Sequence, residues 1–227
     1  MTDVVVKWRC LEGLVDVSTI RGEIEAALAE DTRTGRLREI LRGAVERGGA
    51  AVTDTELEKA VDAIRGFIAS APTVLEATMR ASREAGIEDR VRPIFETAFS
   101  YLEEEGDFIP DSIGLAGLLD DAYLIHGLMQ EISERHRVLK GRALLPSEMF
   151  DLMPEIKRII GEPTGTRLDV AIVAFARRAN VRETIEQIVR RIGDHGLGFD
   201  LPSAVGGTVG ENPLSAIPPL DLGSLGG

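Results

Sequence analysis

The chain has 227 residues, a formal net charge of −12, 44% hydrophobic residues and 28% charged ones. That composition supplies a globular core, and its negative field disfavours nucleic acid and anionic membrane surfaces as partners. The single cysteine, Cys10, excludes an internal disulfide and a cysteine zinc cluster, and aromatics of only 4% leave a Leu, Ile, Val and Ala core that suits packed helices.

Residues 1–17 read as an N-terminal arm, in which Val4 to Trp8 is either a short strand or an apolar stretch. Helical spacing begins at Ser18, with Ile20, Ile24, Ala27 and Leu28 on one face. Leu37, Ile40, Leu41, Ala44 and Val45 repeat it up to Gly48 and Gly49. Thr53 to Glu56 is a capping box, followed by the stripe Leu57, Val61, Ile64 and Ile68. Pro72 opens the next predicted helix, with Leu75, Met79 and Ala81, and Gly86 stops it. A helix is predicted from Arg92 to Glu105, with Pro93 near its start and an apolar set of Ile94, Phe95, Ala98, Phe99 and Leu102. Leu115 to Arg137 reads as a long helix. Ser147 to Ile160 reads as another, closed by Gly161 and Pro163. Thr166 to Arg191 holds one or two more, with a break near Asn180. No period-2 alternation supports a sheet. The expected fold is all-α, a bundle of about seven to nine helices over residues 18–192. No run approaches the ~20 apolar residues of a membrane span, and no basic-then-apolar leader opens the chain. A soluble, cytoplasmic protein is expected.

Asp107 to Asp121 (DFIPDSIGLAGLLDD) carries the most distinctive pattern. Pro110 fixes its own φ and holds Ile109 extended, so no helix runs through. Phe108 and Ile109 are expected to plug into the core, and Asp111 or Ser112 to cap the next helix. Gly114 and Gly117 permit a sharp turn or close helix approach. Asp120 and Asp121 sit among leucines, where an acid needs donors or a cation. One reading gathers Asp107, Asp111, Asp120 and Asp121 around a divalent cation, the favoured partner of clustered carboxylates. The other has Asp107 and Asp111 capping the turn, with Asp120 or Asp121 tying its amides to the helix. Neighbours on a helix diverge by about 100°, so at most one of Asp120 and Asp121 points into the turn.

This block resembles the YkvA-like family, a small bacterial domain of unknown function. The pattern is an acidic residue, x-I-P-D, an apolar Gly-containing spacer and L-D-D. Here it reads Asp107-Phe108-Ile109-Pro110-Asp111, then Ser112 to Leu118, then Leu119-Asp120-Asp121. The match covers about 40 residues, from Pro93 to Glu131. The resemblance implies an α-helical module and transfers no catalytic residues. Many relatives are more apolar before the turn and sometimes membrane-associated, which implies a peripheral membrane or stress-associated role. Ser100 to Glu105 (SYLEEE) departs from that and argues against membrane association.

Other chemistry is thin. His126, His136 and His195 form no metal-binding spacing, and His126 reads as a partly buried helix residue. No G-x-S-x-G is present, and Gly206 to Gly210 lacks the Lys of a phosphate loop. No catalytic residue and no cofactor beyond that divalent cation is expected. Arg177, Arg178, Arg182, Arg190 and Arg191 make a basic region that reads as a solvated face paired with Glu183 and Glu186.

Residues 193–227 contain no Lys or Arg but nine of the 24 Gly and four of the 10 Pro, and are expected to form a flexible, disordered tail. Its end, Leu220-Asp221-Leu222-Gly223-Ser224-Leu225, resembles the cargo-loading peptide of proteins packaged in encapsulin shells. That pattern is apolar, any, apolar, then G-S-L on a Gly/Pro-rich leash. Gly226 and Gly227 stand where basic residues are often found. The resemblance implies a shell protein as partner, a place inside a protein compartment, and Leu220, Leu222, Gly223, Ser224 and Leu225 as contacts. The leading expectation is a non-enzymatic helical adaptor or accessory protein that binds a protein partner through this tail. The alternative from another class is a metal-dependent enzyme built on the acidic turn.

Overall fold

Helical periodicity dominates the chain as expected, and the described residues form seven α-helices and two 3-10 segments. The computed structural model describes residues 10–11, 14–15, 17–102, 108–109, 111–177, 212–220 and 222. Val4 to Trp8 lies outside them. The arm contains a small ladder that the periodicity does not reveal: β1 (Cys10–Leu11) pairs antiparallel with β2 (Leu14–Val15). Two residues per strand are too few to show alternation.

Helices α1 (Val17–Thr34) and α2 (Arg36–Gly48) are separated by Gly35, whose φ of 68° is the left-handed geometry glycine adopts without strain. The buried Asp31 fastens this corner. Its Oδ1 accepts from the Leu37 amide at 2.8 Å, and its Oδ2 accepts from Arg65 Nη2 at 2.7 Å. Helix α3 (Asp54–Glu84) starts on the expected capping box: Thr53 Oγ1 accepts the Glu56 amide, and Glu56 Oε2 accepts the Thr53 amide at 2.8 Å.

Pro72 does not open a new helix, because α3 runs through it for 31 residues. An interior proline costs ~3 kcal/mol. The apolar stripe outweighs that, since Leu57, Val61, Ile64, Ile68, Leu75 and Pro72 itself are all buried. Helix α4 (Glu88–Leu102) also begins earlier than expected, which places Pro93 inside it.

The predicted helix from Leu115 is instead a 3-10 segment (Asp111–Leu118) followed by α5 (Leu119–Lys140). Gly114 breaks the segment at φ 74°, ψ −139°, a conformation that glycine alone adopts cheaply. Ser147 to Ile160 likewise divides into a 3-10 turn (Ser147–Phe150) and α6 (Met153–Ile160), with Pro154 in the first turn of α6. Helix α7 (Thr164–Ala176) comes next, and the expected continuation from Arg178 lies outside the described residues.

Helix α5 is the central element. It packs on α3, α6 and α7, and buries Leu119, Leu124, Ile125, Leu128 and Ile132 among others. Gly127 permits the α5–α7 approach, because a Cβ there would stand 2.2 Å from Ile172 Cδ1. No helix among the described residues is long and apolar enough to cross a membrane.

The expected free tail is corrected at residues 212–220 and 222. Leu214, Ile217, Leu220 and Leu222 are buried in the same core as the helices. Glycine and proline content describes the whole segment, whereas docking needs only a few well-spaced apolar side chains. Residues 193–211, 221 and 223–227 lie outside the described set.

Candidate functional site

Of the acidic turn, the described residues Phe108 and Ile109 meet the head of α5 at Asp120. Ile109 is fully buried, as a plug should be, and Phe108 is half-buried. The Ile109 amide donates to Asp120 Oδ2 at 3.0 Å. Asp120 stands in the first turn of α5 and is 2% exposed. Its other oxygen, Oδ1, is buried and makes no hydrogen bond among the described residues, although the backbone amides of Asp120 and Asp121 also pull the carboxyl downward. Burial, and then the neighbouring charge of Asp121, push the Asp120 carboxyl well above the usual carboxylate range, against the pull of the Ile109 amide. Asp121 is half-buried.

Asp120 thus ties the turn to the helix, as the capping reading of the sequence has it. Asp107 and Pro110 lie outside the described residues, and Asp111 is described by its backbone alone. Among the described residues no group of three or more His, Cys, Asp or Glu is placed to hold a metal ion.

His126 is more buried than expected, at 1% exposure, and stacks on Phe67 with ring centroids 4.2 Å apart. Its Nδ1 lies 2.8 Å from Ala122 O, and its Nε2 lies 3.0 Å from Ser70 Oγ. A carbonyl only accepts, so Nδ1 carries the proton and Nε2 is left as an acceptor; the single Ser70 hydroxyl proton is shared between it and Phe67 O, which lies closer to Oγ, at 2.8 Å. Burial pushes the imidazole down to about 4. This is a serine–histidine contact with a neutral ring, oriented by a backbone carbonyl rather than a carboxylate. Ser70 and His126 are 56 residues apart, and no local motif marks the pair.

A second buried network also escapes the sequence. Tyr123 Oη donates to Asp169 Oδ1 at 2.7 Å, and Lys157 Nζ stands 2.6 Å from Asp169 Oδ2. Asp169 is buried between α5 and α6, so its charge is matched by one cation and one hydroxyl. Burial and the Asp169 charge raise the Tyr123 hydroxyl far above its ordinary value, which keeps it a donor at any physiological pH.

The C-terminal segment is held by specific contacts. Arg158 on α6 donates through Nη2 to Leu214 O at 2.6 Å and through Nη1 to Ile217 O at 2.5 Å. Glu155 receives its Nε at 2.8 Å and fixes the guanidinium plane. The Leu220 amide donates to Ile159 O at 2.8 Å. Pro218 lies against the end of α2 near Gly48. A groove of about 840 Å³ opens beside the segment between α2 and α6, with Arg47, Lys157, Arg158 and Glu162 on its walls.

Of the tail residues singled out by sequence, Leu220 and Leu222 are therefore buried on the body, while Gly223, Ser224 and Leu225 lie outside the described residues. Arg177 is exposed at the end of α7, and the other arginines of the expected basic face also lie outside. Cys10 sits in β1, and His195 is outside the described set. No family model, no curated protein and no solved structure matches this chain.

Proposed function

We propose that this chain is a non-enzymatic helical adaptor or accessory protein that engages a protein partner through its C-terminal peptide, Leu220 to Leu225. Its most concrete form is cargo of an encapsulin-type shell. One observation carries the reading: the segment from Leu214 to Leu222, which overlaps the start of this peptide, is bound in the way a groove ligand is. Leu214, Ile217, Leu220 and Leu222 insert apolar side chains, while backbone groups of the segment are held by Arg158 and by Ile159 O. Short peptides read protein grooves by that same combination. A shell that repeats its binding site many times adds avidity to a modest single contact.

The test compares the tagged full-length protein with Leu225→Asp in the native host, with captured proteins identified by mass spectrometry. Capture of a shell-forming protein by the wild type and its loss from the variant support cargo loading. The same proteins on both, or no shell protein on either, end the reading.

A second reading rests on Asp120 Oδ1, which is buried beside the Asp121 charge and makes no hydrogen bond among the described residues. A divalent cation at a site including Asp107, Asp111, Asp120 and Asp121 would supply a partner for that oxygen. Thermal unfolding with and without Mg²⁺, Mn²⁺ or Ca²⁺ separates the two. A metal-dependent shift that disappears in Asp120→Asn and Asp121→Asn supports the site. Equal responses from wild type and variants dispose of it.

A further inference from the structure

The same leucines stand in two roles. Leu220 and Leu222 are the first two apolar anchors of the proposed partner-binding peptide, yet both are buried on this chain's own body. They cannot occupy a partner's groove and their own at once. We propose that the face of α6 that carries the C-terminal segment is a peptide-docking site, with that segment as its resident occupant, so that partner capture requires undocking. This inference rests on the reading of the tail as the partner-binding element.

The seat is built for a chain segment rather than for a loose apolar contact. Arg158 spans two carbonyls three residues apart, those of Leu214 and Ile217. Its side chain is itself braced by Glu155. The bond from the Leu220 amide to Ile159 O fixes where the segment lies along α6. The four buried side chains fall within nine residues, from Leu214 to Leu222. The groove beside Pro218, Pro219 and Leu220 leaves one flank of the segment uncovered, and this is where release can begin.

The docked state has the advantage of tethering. The seat and its occupant belong to one chain, so the segment binds in an intramolecular step, and a free peptide of equal sequence competes at a disadvantage. An outside partner succeeds only by binding the released leucines more tightly, or at many sites together. Arg158 is then a positioning residue for the closed state.

The experiment uses a fluorescently labelled peptide of residues 212–225 and reads its anisotropy against full-length proteins. Leu220→Asp with Leu222→Asp ejects the resident segment and empties the seat. The labelled peptide is expected to bind this double variant saturably, and to bind wild type roughly tenfold or more weakly. Adding Arg158→Gln to the double variant is expected to abolish binding. Failure of the peptide to bind a folded double variant, or equal binding to it and to wild type, overturns the proposal. Should the double variant not fold, amide exchange decides in its place. The Leu220 amide is expected to exchange at least roughly tenfold faster in Arg158→Gln than in wild type, with α3 unchanged. An unchanged Leu220 rate overturns the proposal. No partner is present in either measurement, so the seat stands or falls separately from shell capture.

Discussion

His126 and Asp120 make opposite demands on pH. The folded pKa of His126, about 4, lies below the 6.5 of an exposed imidazole, so on acidification the unfolded chain takes up the proton first. Stability from this residue is complete above pH 6.5 and is lost as the pH falls toward 4, by ~3 kcal/mol in all. His126→Phe keeps an aromatic ring beside Phe67 and removes the titration. Urea unfolding at pH 7.5 and pH 4 is expected to show the wild-type advantage over this variant shrinking by about 3 kcal/mol. Asp120 runs the other way. Its folded pKa is raised above 3.8, so its stabilising contribution is complete below that value and is lost as the pH climbs through the folded one. Asp120→Asn keeps an acceptor for the Ile109 amide and discards the charge. Its melting temperature is expected to exceed that of wild type at pH 8 and to lose the excess on acidification. The Asp120 tie was legible in the sequence because its causes are local: a proline at 110 predicts a turn, and an acid at a helix head seeks nearby amides. The Ser70 contact of His126 was not, because it joins two helices whose relative placement depends on the whole core.

At the level of elements, local grammar is readable and packing is not. The Thr53–Glu56 box stands where the spacing puts it, and Thr53→Ala is expected to cost about 1 kcal/mol in urea unfolding. Pro72 obeys a local rule too, but the stripe on either side of it overrides that rule. The break at Gly114 was half visible: the glycine signalled a sharp turn, while the 3-10 geometry up to Leu118 arises from packing against α1, α2 and α5. The corner between α1 and α2 rests on Asp31, which nothing in the local pattern marks. Removing its carboxylate leaves the Leu37 amide and the Arg65 guanidinium without their acceptor. Asp31→Ala is expected to destabilise the protein by ~3 kcal/mol, and Asp31→Asn by less, since an amide oxygen still serves Leu37. Denaturant midpoints of the two variants provide the check.

On the scale of the molecule, the fold is organised around α5, and its contact with α7 leaves no room for a side chain at Gly127. Gly127→Val drives a branched side chain into Ile172 and is expected to cost about 3 kcal/mol, read as a lowered denaturation midpoint. The all-α class and the order of most helices were legible, because they arise from periodicities that each stretch carries by itself. The seating of residues 212–222 was not, because composition taken over the tail dilutes four apolar residues among glycines and prolines. That seating also has a consequence in time. Ribosomes add about 5–20 residues per second. Leu214 lies 54 residues beyond the end of α6, so for roughly 3 to 11 seconds each nascent chain presents the α6 face with no occupant made to cover it. During synthesis this face is open to chaperones, which bind exposed apolar surface.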